Sequence, residues 1–170
     1  MSKIEATVVA DSTNPQNDRL TSVLVTMPRI ILSEMNTHRM LSKNTSSSRA
    51  IPFNKMVEAI QNDPFIPIAW QREHSGMQGT EYLTNPVDTA FANDMWLEAR
   101  DRAVKSAKAM NKAGTDNIGF VTKQLCNRLL EPFMWTTMLI TGSKEGWDNF
   151  FNLRNPVYEI DLDNLEKLKD

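Results

Sequence analysis

Two runs rich in β-branched residues near the start of the chain constrain the fold more than any other feature. They cover Ile4 to Ala10 and Leu20 to Met27, and a polar stretch from Asp11 to Asp18 separates them. β-branched side chains favour strands, and a polar loop between two strands is typical of an antiparallel hairpin. Helical patterns follow the hairpin, so the sequence predicts an α+β fold.

The remaining elements are predicted from apolar spacing and from breakers. The predicted helices cover residues 28–37, 53–61, 91–112, 118–130 and 147–153, and a further strand covers residues 133–141. Apolar residues three and four apart indicate the long helix, which Gly114 is expected to end. Residues 64–86 contain three prolines and two glycines and are expected to be irregular, and Gly142 and Gly146 are expected to bracket a turn.

Composition excludes several classes of protein. The 170 residues are 41% hydrophobic, which suits one soluble domain, and their net charge of -2 gives no electrostatic reason to bind duplex nucleic acid. No apolar run approaches the ~20 residues of a membrane span, and no signal peptide is recognised. One cysteine and two histidines predict neither a disulfide nor a metal site. Cys126 lies in an apolar stretch and is expected to be buried rather than nucleophilic.

The most unusual segment runs from Thr37 to Arg49. Between Ser42 and Arg49 it contains five hydroxyl side chains and one amide, and a histidine and three cations flank or interrupt them. Hydroxyls, backbone N–H groups and guanidinium groups are the donors that bind phosphate. A flexible serine-rich connector is the alternative, but the flanking cations favour an anion-binding loop. The chain has no GxGxxG, P-loop or GxSxG motif.

This segment resembles the signature of the flavin-dependent thymidylate synthases, the ThyX family. In that signature Arg-His-Arg, Ser, Asn-Glu, Ser and Arg-Tyr stand at fixed spacing. The matching positions here are Thr37-His38-Arg39, Ser42, Asn44-Thr45, Ser47 and Arg49-Ala50. Residues 127–132 are similar to the family's Ala-Arg-x-x-Leu-Pro segment, and residues 149–154 to its Asn-Phe-Leu-x-Leu-Arg segment. The likeness covers about residues 3–154 and is strongest to versions from viruses of bacteria.

The resemblance implies a ThyX-like fold, an antiparallel sheet with a long-helix bundle, in one catalytic domain over residues 1–154. It implies reductive methylation of dUMP to dTMP. The one-carbon unit would come from methylenetetrahydrofolate and the hydride from FAD, which NADPH reduces. It further implies a homotetramer with active sites at subunit interfaces, in the cytoplasm of a bacterium or of a phage-infected host, with small-molecule partners and neither nucleic acid nor membrane.

The resemblance also assigns roles by position. Arg154 would be the catalytic residue, contacting the uracil ring and favouring its N3-deprotonated form. The expected dUMP contacts are Glu34, Ser47, Ser48, Arg49, Arg128 and Arg154. The expected FAD contacts are Thr37, His38, Arg39, Thr45 and Asn149. No metal ligand is expected.

The chain departs from the family pattern at several points. The family's arginine, glutamate and tyrosine are replaced here by Thr37, Thr45 and Ala50, respectively. The match ends at Arg154, and an acidic tail over residues 155–170 follows. Three alternatives therefore stand beside a thymidylate synthase. They are a protein that binds dUMP or flavin without turnover, an enzyme that makes another 5-substituted pyrimidine nucleotide, and a helical interaction protein unrelated to nucleotides.

Overall fold

The computed structural model describes residues 4–76, 79, 81–112 and 121–154. The backbone divides into two compact units. The described part of the first unit contains residues 4–65, 100–112 and 121–154, and that of the second lies within Ile66–Ala99. The predicted acidic tail, the helix end at Gly114 and the helix start at Ile118 all lie outside the described residues.

Four strands of the first unit form one antiparallel sheet in the order β1-β2-β4-β3. They are β1 Glu5–Thr13, β2 Arg19–Pro28, β3 Ser42–Thr45 and β4 Trp135–Ser143. The predicted hairpin of β1 and β2 is confirmed. Its turn is closed by Asn14, whose Oδ1 accepts the N–H of Asp18 at 2.8 Å. The predicted loop from Ser42 differs at its start, because β3 satisfies its backbone groups by pairing with the edge of β4.

Five helices complete the described fold. They are α1 Leu32–Asn36, α2 Phe53–Asn62, α3 Pro86–Asn111, α4 Lys123–Arg128 and α5 Lys144–Arg154. The helices expected at 53–61, 91–112 and 147–153 are confirmed with small shifts at their ends. The helix expected over 28–37 is confirmed only in part, because Pro28 still pairs with Trp135 in the sheet and the α-helix begins at Leu32. A 3₁₀ turn over Arg29–Ile31 then leads into α1.

The second unit contains the irregular stretch that the prolines predict. The prediction over residues 64–86 is confirmed for its described part up to Asn85, where the backbone forms only an isolated bridge between Gln71 and Tyr82, while Pro86 begins α3. The first turns of α3 belong to this unit. Trp70 meets Trp96 of α3 edge to face at 5.8 Å, and its Nε1 donates to Asn93 Oδ1 at 2.9 Å. These contacts hold the stretch against its own helix.

A core cluster lies on one face of the sheet. Met27, Leu41, Met138 and Ile140 are buried there, and Trp147 and Phe150 of α5 pack against them. The alternation of buried and exposed residues along β4 turns Met138 and Ile140 inward. Cys126 is fully buried in α4, as the sequence predicted.

The two glycines expected to bracket a turn have a different role. Gly142 lies within β4 and Gly146 within α5, so that prediction is wrong. A Cβ atom on Gly146 would lie 2.9 Å from the carbonyl oxygen of Met40. Glycine therefore lets α5 pack directly on the backbone that follows His38, and this packing positions the site described next.

Candidate active site

His38 and Arg154 meet, although 116 positions separate them in the sequence. Arg154 Nε donates a hydrogen bond to His38 Nε2 at 2.9 Å. His38 is 9% exposed, and its imidazole meets the ring of Phe150 edge to face at 4.8 Å. Phe150 and Arg154 stand four residues apart on α5, so one face of this helix supplies both contacts.

The backbone around His38 is fixed by local hydrogen bonds. Thr37 Oγ1 donates to the Glu34 carbonyl at 2.6 Å at the end of α1. The Lys43 ammonium donates to the His38 carbonyl. Thr37 is therefore engaged with the end of α1 within its own chain, and Lys43 ties β3 to the turn that carries His38.

The electrostatics of this cluster favour a neutral histidine. Burial lowers the pKa of His38, and the positive charges of Arg154 and Lys43 lower it further. The pKa of Glu34 is lowered by hydrogen bonds from the Ser33 hydroxyl and the backbone and by the charge of Arg154. Near neutral pH the cluster thus combines an ionised carboxylate, a neutral imidazole and two cations. We call Glu34, His38, Lys43 and Arg154 the His38 cluster.

A second polar network holds the serine-rich loop. Ser48 is only 1% exposed, and its hydroxyl donates to Glu131 Oε1. Asn127 Nδ2 donates to the carbonyl of Ser48 at 2.8 Å and to that of Ile51 at 2.9 Å. Arg29 Nη1 donates to the Ser46 carbonyl at 2.9 Å, and its Nη2 lies 3.6 Å from Glu131 Oε1. We call Arg29, Ser48, Asn127 and Glu131 the Ser48 network.

Arg128 opens onto a cavity of about 480 Å³ beside this network. The polar residues lining the cavity are Arg29, Ser33, Asn36, Arg128 and Glu131. Two guanidinium groups, a hydroxyl and an amide are suitable donors for a small anion such as a phosphate group. The carboxylate of Glu131 lies in the same lining and pairs with Arg29, so anion binding by Arg128 stays a prediction.

Other predicted residues lie apart from these two groups. Ser47, Arg39 and Arg49 are exposed to solvent, and Thr45 is half-buried in β3 opposite Met138. Asn149 lines a polar cavity of about 580 Å³ together with Met40 and the start of α5. Of the predicted residues, then, a hydrogen bond joins His38 and Arg154, and the charge of Arg154 acts on Glu34. Ser48 and Arg128 lie at a second place.

Three residues of the Ser48 network escaped the sequence analysis: Arg29, Asn127 and Glu131. Asn127 and Glu131 stand in the segment that resembles Ala-Arg-x-x-Leu-Pro, where the pattern has alanine and leucine. Two polar residues at apolar positions of one motif are a signal that a polar partner must lie nearby. Nothing in the sequence around Arg29 pointed to its role, because its partners come from three separate parts of the chain.

The comparisons with known proteins show the fold. No protein-family model matches the sequence, and no curated protein matches it either. A solved structure of the UMP/dUMP methylase PolB from Streptomyces cacaoi bound with 5-Br dUMP is similar, with a TM-score of 0.61 and 12% identity over 85% of this chain and 75% of that one. A second PolB structure, bound with 5-Br UMP, has a TM-score of 0.58 and 13% identity over 86% of this chain and 74% of that one. The expected α+β, ThyX-like fold is thereby confirmed.

No group of three or more histidine, cysteine or carboxylate side chains is arranged to hold a metal ion within the part of the chain that the structure describes. In the same residues, no helix combines the length and apolarity that a membrane span requires.

Proposed function

We propose that the protein is a flavin-dependent thymidylate synthase that converts dUMP to dTMP by reductive methylation. One observation carries the proposal: the hydrogen bond between His38 and Arg154 joins two distant motif residues at one place. The shared fold with a protein described as a UMP/dUMP methylase supports a pyrimidine nucleotide as substrate. We extend the proposal to family membership and to a single catalytic domain over residues 1–154.

Arg154 supplies the central electrostatic effect in this proposal. Its guanidinium would lie against the uracil ring and favour the N3-deprotonated form, because a fixed positive charge stabilises an anion that forms beside it. C5 of the ring then carries more electron density when it loses its proton and gains the one-carbon unit. Fixed charge would replace a nucleophilic thiol in this scheme, since the only cysteine, Cys126, is fully buried.

The phosphate of dUMP would be held by cations near the serine-rich loop. Arg49 and Ser47 are exposed there, and Arg128 lines the neighbouring cavity with Arg29. Arginine and serine donors bind phosphate through charge-assisted hydrogen bonds. Glu34 would accept a hydrogen bond from the nucleotide, since its pKa is lowered and it is ionised near neutral pH.

We propose that four polar, uncharged side chains would contact the flavin when it is bound. Asn149 offers an amide in its cavity, and His38, Thr37 and Thr45 offer an imidazole and two hydroxyls. Arg19 and Lys144 of the same cavity are paired with Asp11 and Asp148, so the diphosphate of FAD would rely on Arg39. When bound, FAD supplies the hydride, with NADPH as its reductant and methylenetetrahydrofolate as the one-carbon donor.

We further propose a homotetramer in the cytoplasm of a bacterium or a phage-infected host. Val8, Val9 and Leu20 of the hairpin are 61%, 52% and 51% exposed. Apolar side chains on a sheet edge commonly mark a surface that another chain covers. An assembly in which subunits share active sites would cover such a surface.

Tritium release from dUMP labelled at C5 tests the proposal, in the presence of FAD, NADPH and methylenetetrahydrofolate. We expect release by the unmodified protein and its loss in Arg154→Ala, while Arg102→Ala, an exposed arginine of α3, retains it. No flavin absorbance at saturating FAD, or no tritium release, would refute the activity. Bound flavin or bound dUMP without release would instead indicate a protein that binds without turnover.

A second candidate is an enzyme that makes another 5-substituted pyrimidine nucleotide. The similarity to a protein described as a UMP/dUMP methylase, and solved with 5-Br UMP, favours testing both nucleotides. Mass analysis of the products from dUMP and UMP distinguishes the candidates. A methyl group on dUMP alone supports a thymidylate synthase, whereas another C5 substituent or methylated UMP supports the second candidate.

A further inference from the structure

The contact between Arg154 and His38 determines where the imidazole carries its proton. All hydrogen-bonding groups of an arginine side chain are donors, so its partner atom must be an acceptor. His38 Nε2 lies 2.9 Å from Arg154 Nε and must therefore carry an unprotonated lone pair. A neutral imidazole has one N–H, which leaves the proton of His38 on Nδ1.

The groups that face His38 from each side support this protonation state. Arg154 reaches it from α5, and Lys43 of β3 binds its carbonyl. Phe150 of α5 covers the ring with an aromatic edge. The nearest carboxylate in this cluster is Glu34 of α1, whose charge interacts with Arg154. Two cations and an apolar cover both disfavour an imidazolium ion, and burial acts in the same direction.

We propose that His38 is the positioning residue of Arg154: its neutral imidazole accepts the Nε–H and thereby fixes the plane of the guanidinium group. Arg154 is the last residue of α5 and is exposed, so its long side chain would otherwise sample many rotamers. The contact uses only one of five N–H donors and leaves both terminal amino groups for a ligand. The functional part of the proposal, that this ligand is dUMP, rests on the proposed function.

The arrangement makes the position of Arg154 depend on pH. Protonation of His38 removes the acceptor at Nε2 and places a second positive charge beside the guanidinium group. The pKa of His38 is lowered from the ordinary histidine value, so this loss occurs in acid and the contact is intact at neutral pH. Affinity for an anionic nucleotide through Arg154 should therefore fall in acid with the titration of one histidine.

The first test needs no ligand and no change at His38. The chain has two histidines, so His74→Gln leaves His38 as the only imidazole in the spectrum. Long-range ¹H–¹⁵N spectra should show the Nδ1–H tautomer near pH 7. In Arg154→Ala on the same background, we expect the pKa of His38 to rise and the preference for that tautomer to weaken. An Nε2–H tautomer, an imidazolium ion at pH 7, or an unchanged titration in Arg154→Ala would overturn the proposal.

The second test measures dUMP binding by calorimetry between pH 5 and pH 8. His38→Ala should weaken binding about tenfold at pH 8, the effect of one lost charge-assisted hydrogen bond. His38→Gln, whose amide oxygen can occupy the Nε2 position as an acceptor, should recover most of that loss and remove the acid-dependent step. Loss of binding in His38→Gln equal to that in His38→Ala would overturn the positioning role.

The two tests separate this proposal from the proposed function. Suppose that the spectra show the Nδ1–H tautomer and its dependence on Arg154, but dUMP does not bind at any pH. The positioning of Arg154 then stands and the proposed substrate fails. If dUMP binds with equal affinity in the unmodified protein and in His38→Ala across the pH range, the substrate stands and the positioning role fails. His38→Ala is used only if its unfolding transition remains cooperative, and otherwise His38→Gln and the spectra decide.

Discussion

Replacement of Asn127 by alanine should strongly destabilise the protein. The side chain is fully buried, and its Nδ2 group donates to two main-chain carbonyls, those of Ser48 and Ile51, at 2.8 and 2.9 Å. These bonds join α4 to the loop that follows β3. Alanine would remove both donors and leave the two acceptors without them.

The expected magnitude follows from these contacts. Each lost hydrogen bond costs about 1 kcal/mol, and a carbonyl left buried without a partner adds roughly 1 kcal/mol or more. One term opposes the loss, since Asn127 Oδ1 is a buried acceptor that has no hydrogen-bond partner among the described residues and disappears in the variant. The free energy of unfolding should fall by about 2–3 kcal/mol, and Tm by on the order of 8 °C for a chain of this size.

Chemical denaturation followed by circular dichroism measures this change. Gln124→Ala, an exposed position on the same helix, is the matched control and should stay within about 0.5 kcal/mol of the unmodified protein. Asn127→Asp keeps the shape but sets carboxylate oxygens opposite two carbonyl oxygens, so it should cost at least as much as alanine. A free energy of unfolding for Asn127→Ala that matches Gln124→Ala would show that the Ser48 network does not hold the loop.

Three further predictions concern other parts of the fold. Gly146→Ala should lower the free energy of unfolding by roughly 1 kcal/mol, since the clash with the Met40 carbonyl outweighs the helix propensity gained; a stabilised variant in a thermal melt would contradict this. The native Cys126 thiol should resist alkylation near neutral pH because burial raises its pKa, and it should react only after unfolding; labelling at the rate of free cysteine would contradict its burial. The pKa of His38 is lowered, so the unfolded chain binds a proton that the native protein does not. The free energy of unfolding should therefore fall as the pH is lowered from about 6.5 to the native pKa of His38. Denaturation titrations of His38→Gln should lack this part of the pH dependence.

The elements that the sequence predicted well depend on local signals. The hairpin follows from two β-branched runs and the turn residues between them, and α3 follows from apolar spacing along one helix. The errors occur where a distant segment decides the outcome. Ser42–Thr45 is polar and short, and it forms a strand only because β4 presents an edge. In the sequence Gly146 looks like a turn residue. The structure shows that glycine is needed there because the carbonyl oxygen of Met40 lies so close to it.

The same distinction applies to the candidate site. The resemblance singled out His38 and Arg154 separately, as a flavin contact and a uracil contact. Nothing in the residue pattern could show that they share a hydrogen bond, because the contact depends on how α5 packs beside the turn after α1. The close packing at Gly146 makes that approach possible.

The Ser48 network changes how the serine-rich loop is expected to work. Ser48 is buried and its hydroxyl proton is engaged by Glu131, while Asn127 holds its carbonyl. To donate to dUMP instead, the Ser48 hydroxyl would have to give up its hydrogen bond to Glu131, which costs free energy. Its neighbours Ser47 and Arg49 are exposed and carry no such cost. Within the proposed function, then, Ser48 anchors the loop from beneath, and the nucleotide is contacted by the residues on either side of it.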